Sequence, residues 1–119
     1  MQKEFVDSAS DEIRGFSKKS GYEFLSNFYI STVAFEGSLY PTVEHAYQAA
    51  KSLDSETRRI IKIAKTPGAA KKLGRAVVVR EDWLHVRVDI MRSLIHEKFE
   101  NPFLRNRLRE VAKSSFANF

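Results

Sequence analysis

Helix punctuation constrains this chain more than any other feature of it. From residue 41 onward a start signal recurs at Pro41-Thr42, Asp54-Ser55, Thr66-Pro67, Asp82 and Asn101-Pro102. Short oxygen-bearing side chains accept hydrogen bonds from the first free N–H groups of a helix. Proline suits the first helical position, where its missing N–H would be unpaired anyway. These signals predict successive helices. The first starts at Thr42, and the second is capped by Asp54 or Ser55 and carries Ile60, Ile61, Ile63 and Ala64. A short third restarts at Thr66-Pro67 and closes at Gly74, which reads as a left-handed cap. The longest runs from Asp82 to about Glu100, with Trp83, Val86, Ile90, Leu94 and Phe99 as its apolar stripe and Met91 and Ile95 beside them. The last starts at Asn101-Pro102 and turns Phe103, Leu104, Leu108 and Val111 inward.

β-structure is expected only in short pieces. Residues 13–16 read as a short strand, and Ile30, Val33 and Phe35 precede Gly37-Ser38 with Leu39 and Tyr40 after it, the pattern of a small hairpin turning at Gly37. Residues 76–79, rich in Val, read as a short buried strand or an extended connection. Residues 1–11 show little periodicity and read as a mobile N-terminal arm, Lys18-Lys19-Ser20-Gly21 as a turn, and residues 22–28 as an irregular aromatic loop of the kind that lines ligand sites. The expected fold class is α+β, mainly helical. Its 119 residues are enough for one hydrophobic core and too few for two, so residues 12–119 form a single domain.

Composition narrows the function classes. No apolar run approaches the roughly 18 residues of a membrane helix, and the N-terminus lacks the layout of a signal peptide, so a cytoplasmic protein with no membrane partner is expected. The absence of Cys excludes a disulfide frame, a thiol nucleophile and a thiolate metal site. His85 and Asp89 share a helical face but have no third ligand in register, so neither a metal nor another cofactor is expected. Charge is uneven: residues 1–50 hold four Lys/Arg against seven Asp/Glu, and residues 51–119 hold sixteen against eight. A basic second half suits a polyanionic partner such as a phosphorylated nucleotide, ADP-ribose or nucleic acid, and it equally suits solvated helix faces.

One helix stands out for its polar content. Within Thr42-Val43-Glu44-His45-Ala46-Tyr47-Gln48-Ala49-Ala50-Lys51, Glu44, Gln48 and Lys51 fall at i, i+4 and i+7, stacking a carboxylate, an amide and an amine along one stripe. Val43, Ala46, Tyr47, Ala50 and Leu53 form an apolar or small stripe opposite, so the helix is expected to pack on one side and present chemistry on the other. Glu44 could serve as a general acid or base and Lys51 as a nucleophile or phosphate contact; a desolvated lysine can form an imine with an open-chain ribose. The same spacing also describes an ordinary helical surface. His45 lies off the Glu44 stripe and on its own reads as a hydrogen-bonded structural histidine. Trp83 reads as core, or as a stacking surface for a base.

Ser26-Asn27-Phe28, Pro41-Thr42-Val43-Glu44-His45 with Gln48-Ala49 and Lys51, Thr66-Pro67-Gly68, Lys72-Leu73-Gly74-Arg75, Arg80-Glu81-Asp82-Trp83, Met91 and Lys98-Phe99 follow one another in an order that resembles the NADAR, or YbiA-like, family. The resemblance runs from about Ile13 to the end. It implies a YbiA-like fold and an N-glycosidase acting on ribose attached to nitrogen. The implied substrate is a phosphorylated ribosylamino-pyrimidine intermediate of riboflavin synthesis, or ADP-ribosylated guanine in nucleic acid. Carried onto this chain, it implies Glu44, Lys51 and Asn27 as catalytic: Glu44 handles protons at the glycosidic bond, Lys51 traps the anomeric carbon, and Asn27 contacts the ribose. Ser26, Phe28, His45, Gln48, Arg75 and Trp83 are implied as substrate-binding, with Arg75 on phosphate and Trp83 facing base or ribose. Members of the family continue past the last helix into a Trp-Gly segment and a Gly-x-Asn-x-x-Gly run, whereas no glycine follows Gly74 here. A second expectation therefore stands beside the enzyme: a non-catalytic module with an incomplete site that binds ADP-ribose or nucleic acid. Uncovered Phe116 and Phe119 point to a possible homodimer.

Overall fold

A 3-10 turn at Glu23–Leu25 leads into strands β1 (Val33–Phe35) and β2 (Ser38–Tyr40), followed by helices α1 (Val43–Ala50), α2 (Ser55–Lys62), α3 (Pro67–Gly74), α4 (Trp83–Lys98) and α5 (Pro102–Ala117). The computed structural model describes residues 21–117, with side chains through residue 114. The expected arm at 1–11, the strand at 13–16, Lys18 to Ser20 of the turn, and the side chains of Phe116 and Phe119 lie outside the described residues.

The hairpin forms where expected. Val33 pairs with Tyr40, Ala34 with Leu39 and Phe35 with Ser38 in an antiparallel register. Its two turn residues, Glu36 and Gly37, both have positive φ, 46° and 86°. That is the mirror-image turn whose twist matches paired strands, and glycine takes the second position at no steric cost. Period-2 alternation sends Val33, Phe35 and Tyr40 into the core and leaves Ala34 and Leu39 outside.

Three helix starts are capped by the expected residues: the Thr42, Asp54 and Thr66 side chains accept from the backbone N–H of His45, Thr57 and Ala69. Asn101 caps α5, its Oδ1 accepting from the N–H of Phe103 at 2.9 Å and of Leu104 at 3.2 Å. Asp82 makes no side-chain cap; Arg80 holds its carboxylate at 2.6 and 3.0 Å instead.

Helix α1 is the hub, with α2, α3, α4 and the hairpin packed against it. The expectation that its polar stripe faces outward is overturned: Glu44, His45 and Gln48 are buried together with Val43, Ala46, Ala49 and Ala50. Alanines at 46, 49 and 50 let neighbouring backbones close in from several sides, which leaves the helix no free face. Leu53, assigned to its apolar stripe, lies past the helix end and is exposed.

Other expectations need correction. Gly74 lies inside α3 without positive φ, and Arg75 is the right-handed C-cap. Glycine is required there by proximity, because a Cβ would overlap the Gln48 amide, 2.8 Å from its Cδ and 3.0 Å from its Cβ. Residues 76–79 are a connection that starts in a turn at Ala76 and a bend at Val77 and is not a strand, with Val78 exposed, since no neighbouring strand offers an edge among the described residues. In α2 only Ile61 is fully buried; Ile60 and Ile63 are exposed. Helix α4 ends at Lys98 and has the same 16 residues as α5. Leu104 is the one buried member of the stripe predicted for α5, while Phe103 is 65% exposed and Leu108 is also exposed.

Candidate active site

The loop before the hairpin docks on the start of α1. Ser26 Oγ accepts the Phe28 N–H at 3.0 Å and Ser26 O accepts the Tyr29 N–H at 3.1 Å, a tight local turn that exposes the next carbonyl. Asn27 O then accepts the Glu44 N–H at 3.1 Å, one of the N–H groups that a helix start leaves unpaired. The Asn27 side chain turns the other way, its Nδ2 resting 3.8 Å from Met91 Sδ on α4. Sequence positions 27, 44 and 91 are thereby joined at one place.

Glu44 is 7% exposed, and Gln48 Nε2 donates to its Oε2 at 2.6 Å. The short bond to an acceptor carboxylate is charge-assisted. Gln48 Oε1, pressed against Gly74, is buried without a partner. The amide is thus held between a carboxylate and a backbone that admits no side chain.

One turn further, Lys51 is half-buried at the C-cap. Burial lowers the pKa of its ammonium; Glu44 pushes the other way, and the positive charges of Arg75 and Lys71 add to the lowering. Arg75, although exposed, is therefore electrostatically part of this site, as is Lys71, which the sequence reading did not single out. The C-terminal carbonyls of α1 are pinned from the returning chain: the Arg80 N–H donates to Lys51 O at 2.7 Å, Arg80 Nη1 to Ala50 O at 3.5 Å, and Arg58 Nε to Ser52 O at 2.7 Å.

The structure does not bring every expected contact to this place. His45 is 1% exposed, and its ring spans Thr42 Oγ1 at 2.8 Å and the Ala64 carbonyl at 2.9 Å. A carbonyl only accepts, so Nε2 donates to it. Nε2 thus ties α1 to the segment just after α2, while Nδ1 meets the N-cap of α1 itself, so both ring nitrogens are engaged within the fold. Trp83 is 8% exposed and packs against Tyr47 with ring centroids 5.1 Å apart. Tyr47 itself is half-buried and its hydroxyl is raised by burial, with Arg87 lowering and Glu44 raising it. Tyr47 and Met91 line a groove of about 870 Å³ between α4 and α5, with Ile95, Phe99, Leu108 and Arg87 among its walls. Phe28 is half-buried in the loop, beside the Ser26 turn.

Lys98 carried no role in the sequence reading beyond the Lys98-Phe99 motif. It is 2% exposed, its Nζ donates to Ser26 O at 2.8 Å, and it lies 5.5 and 5.3 Å from the ring centres of Tyr29 and Phe99. Burial lowers its pKa to about 8. Among the described residues no group of His, Asp and Glu could hold a metal ion, and no helix is long and apolar enough to cross a membrane.

Chemically, the arrangement is a buried carboxylate held by an amide, followed on the same helix by an amine biased toward its neutral form and bordered by two cations. Such a set can exchange a proton, attack an electrophilic carbon and hold an anion nearby. Known proteins resemble the chain as a whole. The chain is 33% identical over 90 residues to the N-glycosidase YbiA of Escherichia coli, covering 74% of this chain and 56% of that protein. It is 37% identical over 83 residues to an N-glycosidase of Nostoc punctiforme, covering 66% and 53%, and 33% identical over 86 residues to a riboflavin biosynthesis protein of Vibrio vulnificus, covering 71% and 23%. The NMR structure of E. coli YbiA superposes with a TM-score of 0.62 at 34% identity, over 71% of this chain and 51% of that one. The chain thus spans little more than half the length of the N-glycosidases it matches. The family model described as the NADAR domain matches residues 5–117, and with that extent of agreement the chain belongs to the NADAR family.

Proposed function

We propose that this chain is an N-glycosidase that hydrolyses the bond between ribose C1′ and a nitrogen of an anionic substrate. The observation that carries the reading is the buried Glu44 carboxylate two helical turns before an amine whose ammonium is destabilised. In this reading Lys51 passes a proton to Glu44, becoming a neutral amine. Its lone pair attacks C1′, and the C–N bond to the base breaks with its electrons leaving on nitrogen, which takes the proton from Glu44. Water then hydrolyses the lysine–sugar adduct, restoring both groups. Asn27 contacts the ribose, Gln48 holds the carboxylate, and Arg75 with Lys71 neutralises phosphate. The similarity to proteins named for riboflavin biosynthesis favours a phosphorylated ribosylamino-pyrimidine as substrate.

The basic charge of residues 51–119 supports a second substrate of the same bond type, ADP-ribosylated guanine in nucleic acid. Both are offered to the folded chain in parallel, with released sugar phosphate or ADP-ribose detected by chromatography. Release from one is expected, with Glu44→Gln and Lys51→Met slower by roughly 10²–10⁴-fold. When the C1′–O4′ bond of the adduct opens, O4′ taking a proton from the lysine nitrogen, the adduct becomes a protonated imine, so borohydride added during turnover should fix a sugar on Lys51, located by mass spectrometry. Absence of release from both substrates refutes the enzyme; salt-sensitive binding without hydrolysis would then identify a binding module.

A further inference from the structure

We infer that Lys98 is a positioning residue for this site, holding the Ser26–Asn27 peptide in place so that Asn27 and Glu44 meet. The inference rests on the glycosidase reading for its consequence in turnover, but its geometry stands alone. Lys98 and Ser26 are separated by 72 positions and joined by one 2.8 Å hydrogen bond from Nζ to the Ser26 carbonyl. The same oxygen accepts the Tyr29 N–H, so both of its lone pairs are engaged and the peptide plane is fixed. The Tyr29 and Phe99 rings border the ammonium and hold it away from water. The next carbonyl, that of Asn27, receives the Glu44 N–H at 3.1 Å, and the Asn27 amide reaches Met91.

Burying a lysine ammonium is costly and the core gains nothing from it that a methionine would not supply. The cost has a geometric return. The loop carrying Asn27 has no strand or helix of its own beyond the 3-10 turn, so its docking on α1 depends on a few directed bonds. Without the Lys98 donor, Ser26 O loses the bond that ties it to α4, and the Ser26–Asn27 peptide is held less firmly. A shift of about 1 Å at groups that must meet a reacting bond can cost roughly 10²-fold in rate.

The test is amide hydrogen exchange on Lys98→Met, which keeps the apolar stem and removes the donor. The Glu44 amide should exchange at least about tenfold faster, while Leu94 and Ala49 amides keep their protection. In turnover, kcat should fall by about tenfold or more with KM within about threefold of wild type, and Lys98→Arg should recover most of the loss. An unchanged Glu44 amide overturns the inference. So does a loss at Glu44 that only matches the loss at Leu94 and Ala49, because that is general destabilisation. Where Lys98→Met does not fold, Lys98→Gln, which keeps one neutral donor, is judged by the same three amides. If the wild-type chain releases no sugar from either substrate, the proposed function fails while the exchange result still decides the role of Lys98.

Discussion

Replacing Gly74 by alanine should damage the site from behind, with a sign opposite to the usual effect of that change in a helix. Gly→Ala inside a helix normally gains up to about 1 kcal/mol from backbone entropy. At Gly74 the new methyl would meet Gln48, and rotation of the amide relieves only part of the clash, since the Gln48 Cβ, whose position the backbone of α1 fixes, would lie 3.0 Å away. Either α3 moves off α1, at an overpacking cost of about 1–3 kcal/mol, or Gln48 leaves Glu44 and a charge-assisted hydrogen bond worth about 1.5–3 kcal/mol is lost. With the propensity gain subtracted, a net loss of up to about 2 kcal/mol follows. Gly68 supplies the control in the same helix, because a Cβ there meets only Thr66 Oγ1 at 3.9 Å. Urea unfolding with a shared m-value should show Gly68→Ala neutral or stabilised and Gly74→Ala clearly destabilised. In a Gln48→Ala background the penalty of Gly74→Ala should shrink by about half or more, as expected for groups in contact. Equal midpoints for the two alanine variants would refute the close-approach explanation of Gly74.

Arg75→Met removes a cation that lowers Lys51, so the Lys51 pKa should rise; because the reacting Glu44–Lys51 pair must hold one proton, which Lys51 supplies, the basic limb of kcat/KM should move to higher pH, and an unmoved or downward-shifted limb counts against the electrostatic coupling. Lys98, at about 8 in the folded chain against its ordinary 10.5, holds fewer protons folded than unfolded between those values. Its stability penalty is full below pH 8, declines as pH rises and vanishes above about 10.5, so wild type should gain up to about 3 kcal/mol relative to Lys98→Met between pH 7 and 10.5 in paired urea melts, and parallel curves would contradict the burial argument. His45→Phe leaves the Ala64 carbonyl and the Thr42 hydroxyl without the ring and should cost about 2–4 kcal/mol in thermal or urea unfolding; a loss under about 0.5 kcal/mol would show that the ring does not tie α1 to the segment after α2.

Local chemistry was legible in the sequence wherever one residue acts on the next few. Thr42, Asp54 and Thr66 cap as read, and the hairpin turns where Gly37 stands, because caps and two-residue turns are settled within four positions. The stacking of Glu44 on Gln48 followed from helical spacing alone. Facts that depend on what comes from elsewhere were not legible. Gly74 carries the same letter whether it serves φ or proximity, and only the arrival of Gln48 distinguishes them. Phe103 and Leu108 look inward by period, yet the residues described place nothing over most of that face. Lys98 reads as a solvated charge because its partner is a backbone carbonyl, which no residue type announces.

The polar stripe of α1 shows why its misreading as surface matters for function. A carboxylate at the most enclosed helix of the domain is a poor way to stabilise a fold, since apolar replacements of buried ionic groups are often neutral or stabilising. Ala46, Ala49 and Ala50 already serve the packing, and another small residue at position 44 would serve it equally. The helix dipole favours Glu44 charged in the first turn and Lys51 charged at the C-cap, and each favours the other's charge as well. Every local term thus supports an ammonium at Lys51 except its burial and the cations at Arg75 and Lys71, and those prevail. An amine driven toward neutrality against both a helix terminus and a carboxylate has no structural use. It does suit the nucleophile proposed for ribose C1′, and the cations that add to the effect of burial are the ones an anionic substrate would meet.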